Sequence, residues 1–176
     1  SCTTNCLAPV AKVLHENFKI IKGFMSTVHA FTNDQCILDL PHKDLRRARA
    51  ATSSIIPTTT GAAKALTKIF PELETVIGGC GIRVPVPNGS LTDITINSKT
   101  EVSISDINTA FKEASLTQFK NILQYTEDPI VSVDITGNHH SCIFDSEMTS
   151  VIGKMIKIIG WYDNEVGYSS RIIDLI

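Results

Sequence analysis

Gly81-Ile82-Arg83-Val84-Pro85-Val86, followed after four residues by Leu91-Thr92-Asp93-Ile94-Thr95-Ile96-Asn97-Ser98, sets two strand-like runs in succession with no helix between them. Strict alternation of strand and helix is thereby broken, and a parallel doubly wound sheet becomes the poorer reading. Upstream, Ile20 to Phe31 is rich in β-branched and aromatic residues and reads as another strand. Downstream, strands are expected near Val131 to Ile135, Ser141 to Phe144 and Met155 to Trp161. Helices fall between these groups. Cys6, Leu7, Val10, Ala11, Leu14 and Phe18 recur at helical spacing, so the chain opens on a helix ending before Lys19; whether Pro9 begins or interrupts it stays open. Further helices are expected from Thr60-Gly61 to Pro71, over Ser105 to Ala114 with Ser105 as N-cap, and over Glu165 to Ile176. Together these predict an α+β fold: a mixed, largely antiparallel sheet with helices packed on one face. Thr32 to Ser53 is a long polar stretch without such patterning, and loops of that length are usually functional.

The 176 residues, 43% hydrophobic with a formal net charge of -2, can bury one substantial core. A near-neutral charge argues against nucleic acid or a membrane surface as partner, since both call for a basic excess. No apolar run reaches the roughly 18 residues of a membrane span. Five cysteines, at 2, 6, 36, 80 and 142, form no metal-binding spacing and fit reduced thiols in a cytoplasmic protein. The chain opens on Ser1, with its most reactive segment in the first six residues, as a piece of a longer protein would.

Ser1-Cys2-Thr3-Thr4-Asn5-Cys6 puts a thiol at a helix start, where free N–H groups and the positive dipole end favour thiolate. Buried thiols one turn apart are the ordinary reading of Cys2 and Cys6, but the polar neighbours of Cys2 suit an anion better than a core. Such a nucleophile needs a base, and His29, near the end of the strand Ile20 to Phe31, is placed to supply one. His15, His42, His139 and His140 compete for the role. A thiol hydrolase would use the same pair, although no hydrolase signature surrounds either residue.

Ser1-Cys2-Thr3-Thr4-Asn5-Cys6-Leu7-Ala8-Pro9, Thr27-Val28-His29-Ala30, Asp44-Leu45-Arg46-Arg47-Ala48-Arg49-Ala50-Ala51, Ile55 through Lys64, Arg83 through Asn88 and Trp161-Tyr162-Asp163-Asn164-Glu165 stand in the order found in glyceraldehyde-3-phosphate dehydrogenases. The chain resembles the catalytic, C-terminal domain of that family over essentially its whole length. The resemblance implies that Cys2 attacks the aldehyde of glyceraldehyde 3-phosphate, that His29 takes the proton, and that inorganic phosphate releases the resulting thioester as 1,3-bisphosphoglycerate. Thr32 and Arg83 are implied to hold the substrate's phosphate, and Ser1, Thr3, Thr60 and Gly61, with Arg47 nearby, the inorganic one. The chemistry of these groups suits oxyanions, although Thr60-Gly61 alone equally fits a plain helix start.

By the same resemblance Asn164 and Tyr168 meet the nicotinamide of NAD, Leu40-Pro41 matches NAD-using members, and the loop from about Thr32 to Ser53 packs across a subunit interface of a homotetramer. The whole of residues 1–176 then forms the catalytic domain, and the NAD-binding Rossmann domain lies outside this chain. Gly79-Cys80-Gly81 continues to Val84 where a dinucleotide fingerprint needs glycine. Erythrose-4-phosphate dehydrogenase and a non-catalytic oligomerising fragment are the alternatives. Val166 in place of an aromatic, Cys36 in place of a basic or polar residue, and a turn shortened near Val151 to Lys157 depart from the family pattern.

Overall fold

A computed structural model describes all of residues 1–176. Its centre is a seven-stranded sheet made of β1 (Ile20–Ala30), β2 (Ile56–Thr58), β3 (Ile77–Val84), β4 (Ser90–Ser98), β5 (Leu123–Thr126), β6 (Cys142–Ile152) and β7 (Met155–Tyr162). The spatial order is β2-β3-β1-β4-β7-β6-β5. β1 runs parallel to β3 and β5 parallel to β6; the other neighbours are antiparallel. The expected α+β class, with its largely antiparallel sheet, is the architecture found.

Helix α1 (Cys2–Phe18) lies across the sheet and meets β1, β4, β6 and β7, flanked by α2 (Ala62–Ile69) and α3 (Ile104–Leu116), while α4 (Val166–Ile173) reaches it from the C-terminal end. Pro9 sits inside α1 without ending it. A proline there costs about 3 kcal/mol, but Cys6, Leu7, Val10, Val13 and Leu14 are all at most 1% exposed, and each buried aliphatic side chain contributes about 1.5–3 kcal/mol. Burial of that face therefore decides the matter. Against it stand Met25, Ile94, Ile96, Ile156, Ile158 and Tyr162 from the strands.

Gly160 of β7 sets how deeply α1 is seated. A Cβ there would meet Cys142 Sγ at 2.8 Å and Cys6 Sγ at 3.4 Å, so both thiols fill the space a side chain would need.

The alternate residues of the same strands form a second, open face. Phe24 is 72% exposed on it, Cys80 is exposed, and Lys157 pairs with Asp93 across β7 and β4. Only the β6–β7 end of this face is covered. There Ile143 and Ile159 are buried, Trp161 donates to Asp145 at 3.0 Å, and a 3-10 turn over Ser132–Ile135 packs against β7.

That turn replaces the strand expected at Val131 to Ile135. The Asp134 carboxylate accepts from Val131 N at 2.7 Å, and Asp134 N donates to Val131 O at 3.0 Å, so a local cap outcompetes sheet pairing. The turn fits closely beside Gly89, at φ 90°, where a Cβ would lie 2.4 Å from Ser132 O. Two short strands, β2 and β5, arise where none was expected, and β6 runs well past Phe144. The N-cap of α3 is Ser103 in place of Ser105, because Ser103 and Asp106 form a reciprocal capping box. Thr32 to Ser53 holds no strand or helix, only turns tied by bonds such as Ala51 N to Cys36 O at 2.8 Å and Leu40 N to Ala48 O at 3.0 Å. No helix is long and apolar enough to cross a membrane.

Candidate active site

α1 begins at Cys2 because Ser1 caps it: Ser1 Oγ accepts from Thr4 N at 3.1 Å. Capping fixes the helix start in space and leaves the first-turn N–H groups directed outward. Beneath it β1 runs to its end at Ala30, with Thr27 and His29 two residues apart on the helix-covered side. The result is a thiol facing an imidazole, with Cys2 Sγ 3.3 Å from His29 Nε2.

His29 is 5% exposed. Burial lowers its pKa to about 4; the Ala30 carbonyl opposes that, and the Arg83 charge adds to it. At neutral pH the ring is therefore uncharged and able to accept a proton. His29 Nδ1 lies 2.7 Å from Ala30 O and 2.5 Å from Arg83 Nη1, which also donates to Ala30 O at 2.9 Å. Nδ1 either donates to Ala30 O or accepts from Arg83, not both; in the first tautomer the Nε2 lone pair faces Cys2, and this is the one a general base requires.

Tyr162 stands edge-on to His29, ring centres 6.0 Å apart. Its hydroxyl lies 2.8 Å from both Thr3 Oγ1 and Thr27 Oγ1, and Thr27 Oγ1 donates to Leu91 O at 3.3 Å. Since the Thr27 proton goes to Leu91, protons run in one direction, from Thr3 to Tyr162 to Thr27. Burial pushes the Tyr162 hydroxyl pKa up, so it stays protonated.

Cys2, Thr3, Thr27 and His29 border a cleft of about 250 Å³ that is also lined by Arg47, Arg83, Thr58, Thr60 and Gly61, with Tyr162 buried behind it. Burial and the charge of Arg47 both lower the Arg83 pKa. Two guanidinium groups converging beside a neutral imidazole make this a place for an anion. Arg47 is held from behind by Asp34 and by Thr58 Oγ1 at 2.9 Å.

A family model described as glyceraldehyde 3-phosphate dehydrogenase, C-terminal domain, matches residues 1–164. The chain belongs to that family. Among similar proteins, glyceraldehyde-3-phosphate dehydrogenase 2 of Streptomyces avermitilis is 60% identical over 176 residues, covering 99% of this chain and 52% of that protein. The glyceraldehyde-3-phosphate dehydrogenase of Geobacillus stearothermophilus is 57% identical, over 99% of this chain and 52% of its own length. That of Borreliella burgdorferi is 60% identical over 178 residues, 99% of this chain and 53% of its own length. The chain thus spans about half the length of these glyceraldehyde-3-phosphate dehydrogenases.

Of the residues singled out for this family, Ser1, Cys2, Thr3, His29, Arg47, Thr60, Gly61 and Arg83 share the one cleft. Thr32 does not line that cleft with Arg83 but a separate one with Asp34 and Glu165, and its N–H and hydroxyl both donate to Gln35 Oε1, at 2.8 and 3.2 Å. Tyr168, 43% exposed, lines a groove along α1 with Arg171 and Phe119. Asn164 follows β7 directly, its Oδ1 accepting from Ser90 Oγ at 2.8 Å and Gly89 N at 3.2 Å. Thr60 Oγ1 accepts from Ala62 N at 3.2 Å, and Ser1 and Thr3 likewise have partners inside the fold.

Sequence reading passed over Thr27, Tyr162, Gln35 and Asp34. Thr27 carried a usable signal, its i, i+2 spacing from His29 on a strand. Tyr162, in contrast, is brought to Thr3 and Thr27 only by tertiary structure.

Proposed function

We propose that residues 1–176 are the catalytic domain of an NAD-dependent phosphorylating glyceraldehyde-3-phosphate dehydrogenase, completed by a Rossmann domain in the remainder of a longer cytoplasmic protein. The observation that carries this reading is the 3.3 Å approach of Cys2 Sγ to a neutral, buried His29 in a cleft flanked by Arg47 and Arg83. Cys2 adds to the aldehyde carbon, its thiol proton passing through His29 Nε2 to the carbonyl oxygen to give a thiohemiacetal, and the neutral His29 is then available to take that hydroxyl proton as the carbon gives up hydride. Bound NAD would supply the hydride acceptor that takes the substrate to the acyl oxidation level. Asn164, whose Oδ1 is already occupied and whose Nδ2 remains a donor, and Tyr168, with an exposed ring, fit its nicotinamide end. Inorganic phosphate then attacks the acyl carbon, Cys2 leaves as thiolate, and the product is 1,3-bisphosphoglycerate.

Arg83, Thr32, Ser1, Thr3, Thr60, Gly61 and Arg47 would hold the two phosphates. Ile37, Leu38, Leu40 and Leu45 of the long loop are exposed, as are Phe24 and Cys80 on the otherwise half-buried second sheet face, and we assign both to contacts between copies of the enzyme in a homotetramer. The test uses the full-length protein. Phosphate-dependent reduction of NAD by glyceraldehyde 3-phosphate is expected, with a Cys2 acyl adduct detectable by mass spectrometry and both lost in Cys2→Ser. Sustained turnover by Cys2→Ser, or label on Cys80 or Cys142 with Cys2 untouched, overturns the assignment. Residues 1–176 alone should react at Cys2 without sustaining turnover.

A further inference from the structure

Ser90 is the first residue of β4, 1% exposed, and its hydroxyl makes two bonds of opposite sense. It accepts from Ala30 N at 3.1 Å and donates to Asn164 Oδ1 at 2.8 Å. A hydroxyl has one proton, so the acceptance from Ala30 N commits that proton to Asn164. Gly89 N, which can only donate, meets the same Oδ1 at 3.2 Å and fixes which end of the Asn164 amide is oxygen. The amide NH2 is thereby turned the other way, where it makes only a 3.4 Å contact with the exposed Glu165.

We infer that Ser90 is a positioning residue, tying the backbone that follows His29 to the amide of Asn164 so that this amide presents N–H and not C=O to the cofactor. The inference rests on the proposed NAD reading. An N–H so directed recognises a carbonyl oxygen, the acceptor carried by a nicotinamide carboxamide. Asp163 steadies the adjoining backbone: its two carboxylate oxygens accept from Glu165 N, Val166 N, Gly137 N and Asn88 Nδ2 at 2.7–2.9 Å. Asn164 can therefore turn over only by rotating its own side chain, and Ser90 and Gly89 oppose that rotation. Without Ser90 the Gly89 contact alone remains, and both amide orientations become accessible.

The experiment compares the full-length enzyme with its Ser90→Ala and Ser90→Cys variants, using NAD and thionicotinamide adenine dinucleotide, in which a weakly accepting sulfur replaces the carboxamide oxygen. The unmodified enzyme should prefer NAD. In Ser90→Ala the KM for NAD should rise about tenfold, the scale of one lost hydrogen bond, while that for the thio analogue stays nearly constant, so that discrimination collapses. Ser90→Cys, similar in size but a poor donor, should follow Ser90→Ala and serves if the alanine variant does not fold. Cys2 alkylation without cofactor should change less than about twofold, because the Cys2–His29 pair does not touch Ser90. Full discrimination retained in both variants overturns the inference and leaves the NAD reading standing. Equal losses toward both dinucleotides together with slowed alkylation also overturn it, since they mark a general structural defect. An unmodified enzyme that reduces neither dinucleotide defeats the NAD reading itself.

Discussion

Tyr162 and Asp163 are neighbours in sequence yet anchor two buried polar regions of opposite character. Around Tyr162 lie Thr3 and Thr27, in a chain of hydroxyls that runs one way, and beside it Cys2 and His29, where a proton can shift: the Cys2–His29 contact suits more than one protonation state, and His29 Nδ1 faces both a carbonyl and a guanidinium. Around Asp163 every donor is fixed, three of them backbone N–H groups that have no alternative role. Burial pushes the Asp163 carboxyl pKa up, but the bonds from Val166, Gly137, Glu165 and Asn88 outweigh it and hold the group below its usual range. Chemistry that moves protons needs groups with a choice of partner, and it keeps its geometry only if the adjoining backbone has none. The alternation of a strand end supplies both within two residues.

The comparison predicts that substitutions around Tyr162 act chiefly on reactivity and those around Asp163 chiefly on stability. The largest effect is expected from His29→Asn in the full-length enzyme. Turnover should fall about 10²- to 10⁴-fold, the range for loss of a general base, with the thermal midpoint little changed at pH 7; a rate within threefold of the original would remove His29 as the base.

Next comes Asp163→Ala, which strands four donors. Each buried orphan costs about 1–3 kcal/mol, and with Asn88 and Glu165 able to find water the loss should be near ~3 kcal/mol by urea denaturation. A loss below about 1 kcal/mol would erase the contrast between the regions.

The third test varies pH. His29 has a folded pKa of about 4 against 6.5 when unfolded, so as pH falls the unfolded chain takes up its proton first. Stability is whole above pH 6.5 and declines as pH falls toward 4, by up to about 3 kcal/mol. His140, lowered by burial, Arg171 and His139, acts in the same direction. Removing His29 should flatten most of the slope in denaturation series between pH 7 and 4, and an unchanged slope in His29→Asn would refute the buried neutral ring.

Smallest should be Tyr162→Phe, which leaves Thr3 Oγ1 without its partner while Thr27 keeps Leu91. A cost of about 1–2 kcal/mol is expected, with Cys2 alkylation slowed only severalfold. An effect on alkylation as large as that of His29→Asn would make Tyr162 part of the chemistry itself.

What the sequence discloses divides along similar lines. Cys2 is legible because a helix start is a local pattern, and His29 because it falls near the end of a long β-branched run. The class of sheet follows from Gly81–Val86 and Leu91–Ser98 having no helix between them. β5, only four residues long, escapes notice because its pairing with β6 is parallel and tertiary. Val131 to Ile135 misleads for the opposite reason: its β-branched residues suit a strand, but Asp134 offers the backbone a nearer partner. The side chains behind the site, Tyr162, Ser90 and Asp163, meet partners too far away in sequence for any local pattern to announce them.

Gly160 gives the distance between Cys2 and His29 an unexpected owner. Cys6 bears on the sheet at Gly160 one helical turn below Cys2, and α1 is stiff over that interval. A single methyl inserted at Gly160 would lie 2.8 Å from Cys142 Sγ and only in ordinary contact, 3.4 Å, with Cys6 Sγ; because Cys142 is hydrogen-bonded to Cys6, displacement of that thiol would be passed to α1 and swing Cys2 away from His29, leaving both side chains chemically intact. Tolerance at the proposed reaction centre is thus set elsewhere, in the thickness of a strand that holds neither residue. Gly160→Ala should accordingly show slowed Cys2 alkylation with the His29 titration preserved, and simultaneous loss of both would mean that the strand, and not the helix, had yielded.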